Sequence, residues 1–407
     1  MKTSPLAVLF AAVLVDMVGF GIVLPLLPFY AESMGATPLE VTLLIASFSA
    51  MQLVAAPLWG RLSDRRGRRP LIVAGLFASA ISYLIFGLAD SLALLLVSRM
   101  AAGAAGGTIS VAQAYVADST AAEDRARGLG LLGAAAGLGV MLGPAIGGFF
   151  SQWGLGAPGF VAAALCAANA VAAVLLLTES RPSAARASSG DVGQAATLRG
   201  WLRAMTRFPL WLLLCVYFLS ISSFTAMTSV LALYAERAFG LDARGMGIVF
   251  TLAGGMSVVV RGVLLGPLVR RLGEPRTARL GALALACAIL LVALIPNAWW
   301  LGATVALHAL GAGTLFPTLA SLVSRATDAH SQGSVLGGSQ VVGGLGRVLG
   351  PIWAGILFQR LGIATPFEVG GALVVFAWLL AWRIPAPARA CPAQATDSAA
   401  SPDPAVQ

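Results

Sequence analysis

The chain is 407 residues long, 58% hydrophobic and 11% charged, with a mean hydropathy of +0.87. Soluble domains carry about 25% charged residues, so this composition excludes an ordinary soluble fold and points to a chain embedded in a membrane. A net charge of +9 would suit a nucleic-acid partner, but the cations lie where membrane topology puts them, and no nucleic acid is expected.

Twelve apolar spans follow one another, at approximately 6–30, 41–59, 71–89, 92–116, 129–150, 159–177, 209–234, 246–268, 280–296, 299–323, 335–358 and 366–382. A helix needs about 20 apolar residues, at about 1.5 Å each, to cross a bilayer. With Lys2 placed inside, twenty of the 26 basic residues fall in inner segments, against three in outer loops (Arg237, Arg244, Arg360) and three within spans. Cytoplasmic loops collect Lys and Arg, so both termini are expected in the cytoplasm. The expected fold is an all-α membrane protein of twelve transmembrane helices in two six-helix halves. The boundaries are residues 1–178 for the first half, 179–207 for a polar cytoplasmic linker, 208–383 for the second half and 384–407 for a disordered tail.

Span 1 follows Lys2 but is too long for a secretory signal, contains Asp16 and lacks a small-residue cleavage site, so it reads as a retained helix. Asp16 falls near mid-membrane and is the one acid deep in any span. A central Asp costs roughly 2.5–3.5 kcal/mol on insertion, and residues that carry such a cost usually face a cavity. Asp16 is therefore a candidate proton-titrating or substrate-facing carboxylate; an ion pair with a buried Arg, or a hydrogen bond that stabilises packing, is the alternative. Spans 2 and 3 are separated by Gly60–Pro70, GRLSDRRGRRP, with five arginines and one aspartate in what reads as a tight inner turn. Arg99, within span 4, is either functional or a packing residue. Asp118, Glu123 and Asp124 follow that span and are expected to pair with nearby arginines or to form a solvated cluster.

Span 5 carries Gly137, Gly139, Gly143, Pro144, Gly147 and Gly148. Small residues on one face allow close backbone approach, and a proline allows a bend. A second copy, Gly344-Leu-Gly346-Arg-Val-Leu-Gly350-Pro351, stands 207 residues later. A degenerate copy of the arginine turn, Gly266-Pro-Leu-Val-Arg270-Arg271-Leu-Gly273, stands 206 residues after the first. Two matches at nearly one offset predict a duplicated six-helix unit. Arg261 in span 8 and Arg347 in span 11 are further cations, placed either to pair structurally or to attract an anionic or zwitterionic substrate group. Cys166, Cys215 and Cys287 read as buried apolar fillers, and Cys391 as a free thiol in the tail. His308 and His330 are too isolated for a metal site. There is no Walker sequence, nucleotide loop or catalytic set, so neither a cofactor nor an enzyme activity is expected.

Gly60, Leu62, Asp64, Arg65, Gly67, Arg68, Arg69 and Leu71 closely resemble the signature loop between helices 2 and 3 of the major facilitator superfamily. Asp16, Gly19, Gly21, Pro25 and Pro28 resemble the first-helix pattern of its twelve-helix drug:proton antiporters. Arg99, Gly103, Gly106 and Gly107 resemble their fourth-helix motif, and Gly139, Gly143, Pro144, Gly147 and Gly148 the fifth-helix motif of exporters. The segment from Ala114 through Asp118 to Gly128 is similar to the loop after helix 4 in bacterial tetracycline exporters. Those exporters carry further membrane acids in helices 3 and 9; here span 3 has Ser82 near that position and span 9 has no acid.

The resemblance implies proton coupling through Asp16 and Arg99, and gating by the arginine loop together with Asp118. It also implies a cavity lined by spans 1, 4, 7 and 10, which here offer Phe20, Gln113, Tyr217, Phe224 and Phe316, with Arg347 nearby. The expected protein is a multi-pass transporter of the inner membrane, functional as a monomer in the lipid bilayer. It would export small amphipathic compounds, drug-like and tetracycline-like, in exchange for protons. A metabolite or sugar carrier of the same fold, or a membrane regulatory protein that does not transport, is the alternative.

Overall fold

The computed structural model describes residues 5–121, 124–180, 208–327 and 332–384. Expectations for residues 181–207, for the tail beyond residue 384, and for Lys2, Glu123, His330 and Cys391 lie outside the described residues. Among the described residues every regular element is helical. Lipid offers the backbone no hydrogen bonds, so a spanning segment must satisfy its own N–H and C=O groups, which a helix does. Eleven helices are long and apolar enough to cross a membrane; Thr365–Ala381, at the twelfth span, is apolar but only 17 residues long.

The first span is a helix over Pro5–Val23 that breaks beside Pro25 and resumes as Leu27–Ser33. Thr37 and Glu40 cap one another to start Pro38–Arg66. This helix does not end at the apolar boundary. It runs on through Arg61, Asp64 and Arg66, so the tight turn expected over residues 60–70 shrinks to Gly67 alone, at φ +103°. At a membrane edge the helix still satisfies its backbone while polar side chains reach water, and only glycine takes this φ without strain. Arg68–Gly87 begins at the next residue. Gly273, at φ +78°, makes the same one-residue turn before Glu274–Val292, as the duplication requires.

Helix pairing repeats as well. Pro5–Val23 packs on Arg125–Phe150 and Ala157–Leu176, as Leu210–Phe239 packs on Gln332–Arg360 and Thr365–Ala381. Arg68–Gly87 packs on Leu92–Ala105 and Ala157–Leu176, as Glu274–Val292 packs on Ala298–Arg325 and Thr365–Ala381. The halves meet through two equivalent contacts, Pro38–Arg66 on Gln332–Arg360 and Ala243–Val259 on Arg125–Phe150.

The span 5 glycines make the first helix pair possible. A Cβ on Gly143 would lie 2.5 Å from Gly21 Cα, one on Gly139 2.5 Å from Met17 Cβ, and one on Gly147 2.5 Å from Ile22 O. Gly148 faces the other way, against Gly247 of the second half, and its repeat equivalent Gly355 faces Thr42 of the first half.

These last contacts lie at the end opposite the Gly67 and Gly273 turns. There, Arg237 Nη2 pairs with Glu32 Oε1 at 2.8 Å, and Leu39 N donates to Gln359 Oε1 at 3.2 Å. No hydrogen bond or ion pair joins the halves at the basic end among the described residues. Around that end Gly60, Gly130, Gly262 and Gly266 border open space. Among the described residues, polar ties between the halves are thus confined to the end opposite the Gly67 and Gly273 turns. Cys166 is buried, but Cys215 and Cys287 are exposed on outer helix faces, where the expectation was burial. A thiol is apolar enough to sit on a face meant for lipid.

Candidate transport site

A cavity of about 590 Å³ lies between the halves, within the range of small-molecule sites. The first span supplies Asp16 and Phe20, the second Phe48 and Gln52, the third Ser79 and Tyr83, and the fourth Arg99. From the second half come Tyr217, Phe224, Arg261, His308, Phe316 and Arg347.

Asp16 is buried and lines the cavity together with Ser79. It has no cation within 4 Å among the described residues, so it is not half of an ion pair with Arg99. Arg99 is also buried. Its guanidinium lies 5.1 Å from the Phe86 ring centroid, Nη2 contacts Ser98 Oγ at 3.2 Å, and Nε has no hydrogen-bond partner. An unpaired carboxylate and an unpaired guanidinium therefore face one low-dielectric cavity, where each is free to answer a proton or a ligand charge.

On the opposite wall Phe224 is the centre of an aromatic cluster. His308 stacks on it with centroids 4.7 Å apart and planes 11° from parallel, and Phe316 meets it edge-on at 5.6 Å. Tyr217 meets Phe316 edge-on at 5.9 Å. Phe20 contacts Phe48 at 5.3 Å on the first wall. Arg261 sits in a five-residue π-helical segment, Val260–Leu264, a local widening that recurs at functional positions.

Of the cavity residues singled out in the sequence, Asp16, Arg99, Phe20, Tyr217, Phe224, Phe316 and Arg347 line it, and Gln113 does not. Gln113 is exposed, one turn nearer the basic end than Ile109, which lines the cavity from the same helix face. The helix break at Gly106 and Gly107 leaves that turn below the cavity. Sequence reading missed Ser79 and Tyr83, which share one face at an i, i+4 spacing; of span 3 it named only Ser82, as standing where the exporters carry an acid. Ser82 points away from the cavity and donates to Ser79 O at 2.8 Å. It also passed over His308, because a lone histidine in an apolar run carries no spacing signal.

The arginine loop forms a separate cluster at the basic end. Arg68 is buried and pairs through Nη1 with Asp64 at 2.8 Å and through Nε with Asp118 at 2.8 Å, while donating to Ser63 Oγ. The backbone N–H groups of Arg68 and Arg69 donate to the Glu179 carboxylate, an acid set at a helix N-terminus. Glu179, expected to begin the polar linker, is thus tied to the first half. Arg65 is exposed. All these contacts lie within one half.

Two repeated helical halves around a shared cavity define a multi-pass membrane carrier. The family model of the Major Facilitator Superfamily matches residues 9–351 and again 262–405, and the chain belongs to that superfamily of transporters. It is 31% identical over 402 residues to the class D tetracycline resistance protein of Salmonella ordonez, covering 95% of this chain and 99% of that protein. It is 28% identical over 369 residues to multidrug resistance protein 2 of Bacillus subtilis, covering 90% and 92%. Among solved structures it is similar to the human organic anion transporter MFSD10 (TETRAN), with a TM-score of 0.70, 26% identity, and coverage of 92% of this chain and 98% of that one.

Proposed function

We propose that this protein exports amphipathic, ring-bearing compounds across a bacterial inner membrane in exchange for protons, working as a monomer with both termini in the cytoplasm. The observation that carries this reading is Asp16. Among the described residues it is the sole carboxylate lining the cavity and has no ion-pair partner, and it faces aromatic walls suited to flat apolar ligands. A carbohydrate would need many matched hydrogen-bonding groups, and about two thirds of this lining is apolar, with five phenylalanines. The names of the tetracycline and multidrug resistance relatives support the same direction.

Asp16 takes up a proton from outside when the cavity faces out and gives it up inside, so that proton entry drives the return of the emptied carrier. Arg99, on the neighbouring wall, stabilises the ionised form. Each charge moved inward yields roughly 2.3 kcal/mol per 100 mV, enough for about a 50-fold substrate gradient. With cytoplasmic termini, the basic end faces the cytoplasm and the Arg237–Glu32 tie between the halves lies at the outer face. The arginine loop and Asp118 set the equilibrium between this state and its opposite, and the span 5 glycines let the packed helix pairs move as units.

The test is a drug-accumulation panel in an efflux-deficient host, with and without an uncoupler. Uncoupler-sensitive export of at least one amphipathic drug is expected. Proton-driven sugar uptake with no drug export would overturn the reading.

A further inference from the structure

The second-half wall of the cavity is charged unlike the first. It presents Arg261, Arg347 and His308 and no acid, whereas the first-half wall presents Asp16 with Arg99. Neither Arg261 nor Arg347 has a carboxylate within 4 Å among the described residues. His308 is 3% exposed, and its Nε2 is buried without a hydrogen-bond partner. A buried polar atom left unpaired costs roughly 1–3 kcal/mol, and the parallel stack on Phe224 holds the ring where this cost persists. A ligand that supplies an acceptor removes it.

We propose that His308, Phe224 and Arg347 form a subsite for the acidic ring of the exported compound, so that this carrier favours aromatic anions, carboxylates or ionised phenols and enols, over cations. Phe224 and Phe316 enclose the ring, His308 Nε2–H donates to the anionic oxygen, and Arg347 supplies the opposite charge. The chemistry fits a ring-borne anion better than a bare inorganic one. A bare anion would gain nothing from the aromatic enclosure, and a cation would lose its hydration beside three guanidinium groups. The proposal rests on the export reading for the identity of the cavity but not on proton coupling.

Two dyes on one scaffold separate the cases: fluorescein, anionic, and rhodamine 123, cationic. Their binding to the full-length protein in detergent, with no gradient present, is followed by fluorescence polarisation. Wild type should bind fluorescein more tightly. His308→Phe keeps a ring to stack on Phe224 but loses the donor, and should weaken fluorescein by about 10-fold while changing rhodamine 123 less than about 2-fold. Arg347→Gln should behave alike, and Arg347→Lys and His308→Gln should each retain part of the preference. Wild type that binds no fluorescein, or prefers rhodamine 123, overturns the subsite, as does equal weakening of both dyes in properly folded variants. Uncoupler-sensitive efflux is measured apart from this binding, so failure of the export reading and failure of the subsite are distinguishable.

Discussion

In the N-terminal half, Arg68 follows the Gly67 turn directly and bonds Asp118 at 2.8 Å; in the C-terminal half, Glu274 follows the Gly273 turn directly and bonds Arg325 at 3.2 Å. Arg68 and Glu274 stand 206 residues apart, and Asp118 and Arg325 207, so these are one pair of positions with the charges exchanged. Attraction between two elements depends on the product of the charges, so the exchange preserves the tie while its surroundings diverge. The environments differ in part. At the turn, Arg68 and Glu274 are alike buried, at 9% and 10% exposed, while their partners Asp118 and Arg325 are 30% and 64% exposed. The first half adds a second acid, Asp64, to its tie, where the second half adds the Ser321 hydroxyl.

The cavity repeats the lesson. Asp16 is matched 207 residues later by Ser223, buried and with an unpartnered hydroxyl, and Arg347 is matched by Val140, which also lines the cavity. Duplication supplied a symmetric frame, and single replacements put the carboxylate Asp16 on one wall and the cation Arg347 on the other. On the proposed function, that asymmetry separates the proton site from the site for the organic solute.

The largest effect expected on this comparison is at Asp16. Asp16→Asn keeps size and hydrogen bonding but cannot titrate, so uncoupler-sensitive efflux should fall to background in a well-expressed protein. Ser223→Ala, at the matching position, should change efflux less than about 2-fold. Wild-type efflux from Asp16→Asn would remove Asp16 from the proton path.

Next comes the tie at Arg68. Arg68→Gln removes a buried cation bonded to two partly exposed acids and should destabilise the purified protein by about 1–3 kcal/mol in thermal unfolding. Arg68→Glu combined with Asp118→Arg imports the second half's polarity and should recover part of that loss. No recovery would mean that Asp64 or Ser63, not the tie to Asp118, dominates the site. A milder change, Asp64→Asn, should slow transport several-fold and leave dye binding in detergent near wild type, because Asp64 lies far from the cavity residues. Binding weakened as much as transport would place Asp64 in the substrate path. The smallest effect is expected from Arg325→Gln, at about 1 kcal/mol, since Arg325 is 64% exposed, an amide can still donate to Glu274, and Ser321 Oγ keeps its bond to that carboxylate.

Much of this was legible in the sequence, for a physical reason. A bilayer excludes charge, so runs of apolar residues, the side on which arginines gather and a lone mid-span acid each carry a free-energy cost that selects their place. The glycine and arginine repeats showed the duplication because close helix contact and a one-residue turn tolerate few other residues. Within the cavity, Asp16, Arg99, Phe224 and Arg347 were found as costly or bulky residues inside spans. What tertiary structure decided was which faces meet. Periodicity gives a helix a face but not a neighbour, so Gln113 fell below the cavity while Ser79 and Tyr83 entered it. The stack of His308 on Phe224 joins residues 84 apart in the chain. Where the polar ties between the halves fall also belongs to packing alone, because both states of a carrier are built from the same helices and differ only in which of their contacts are made.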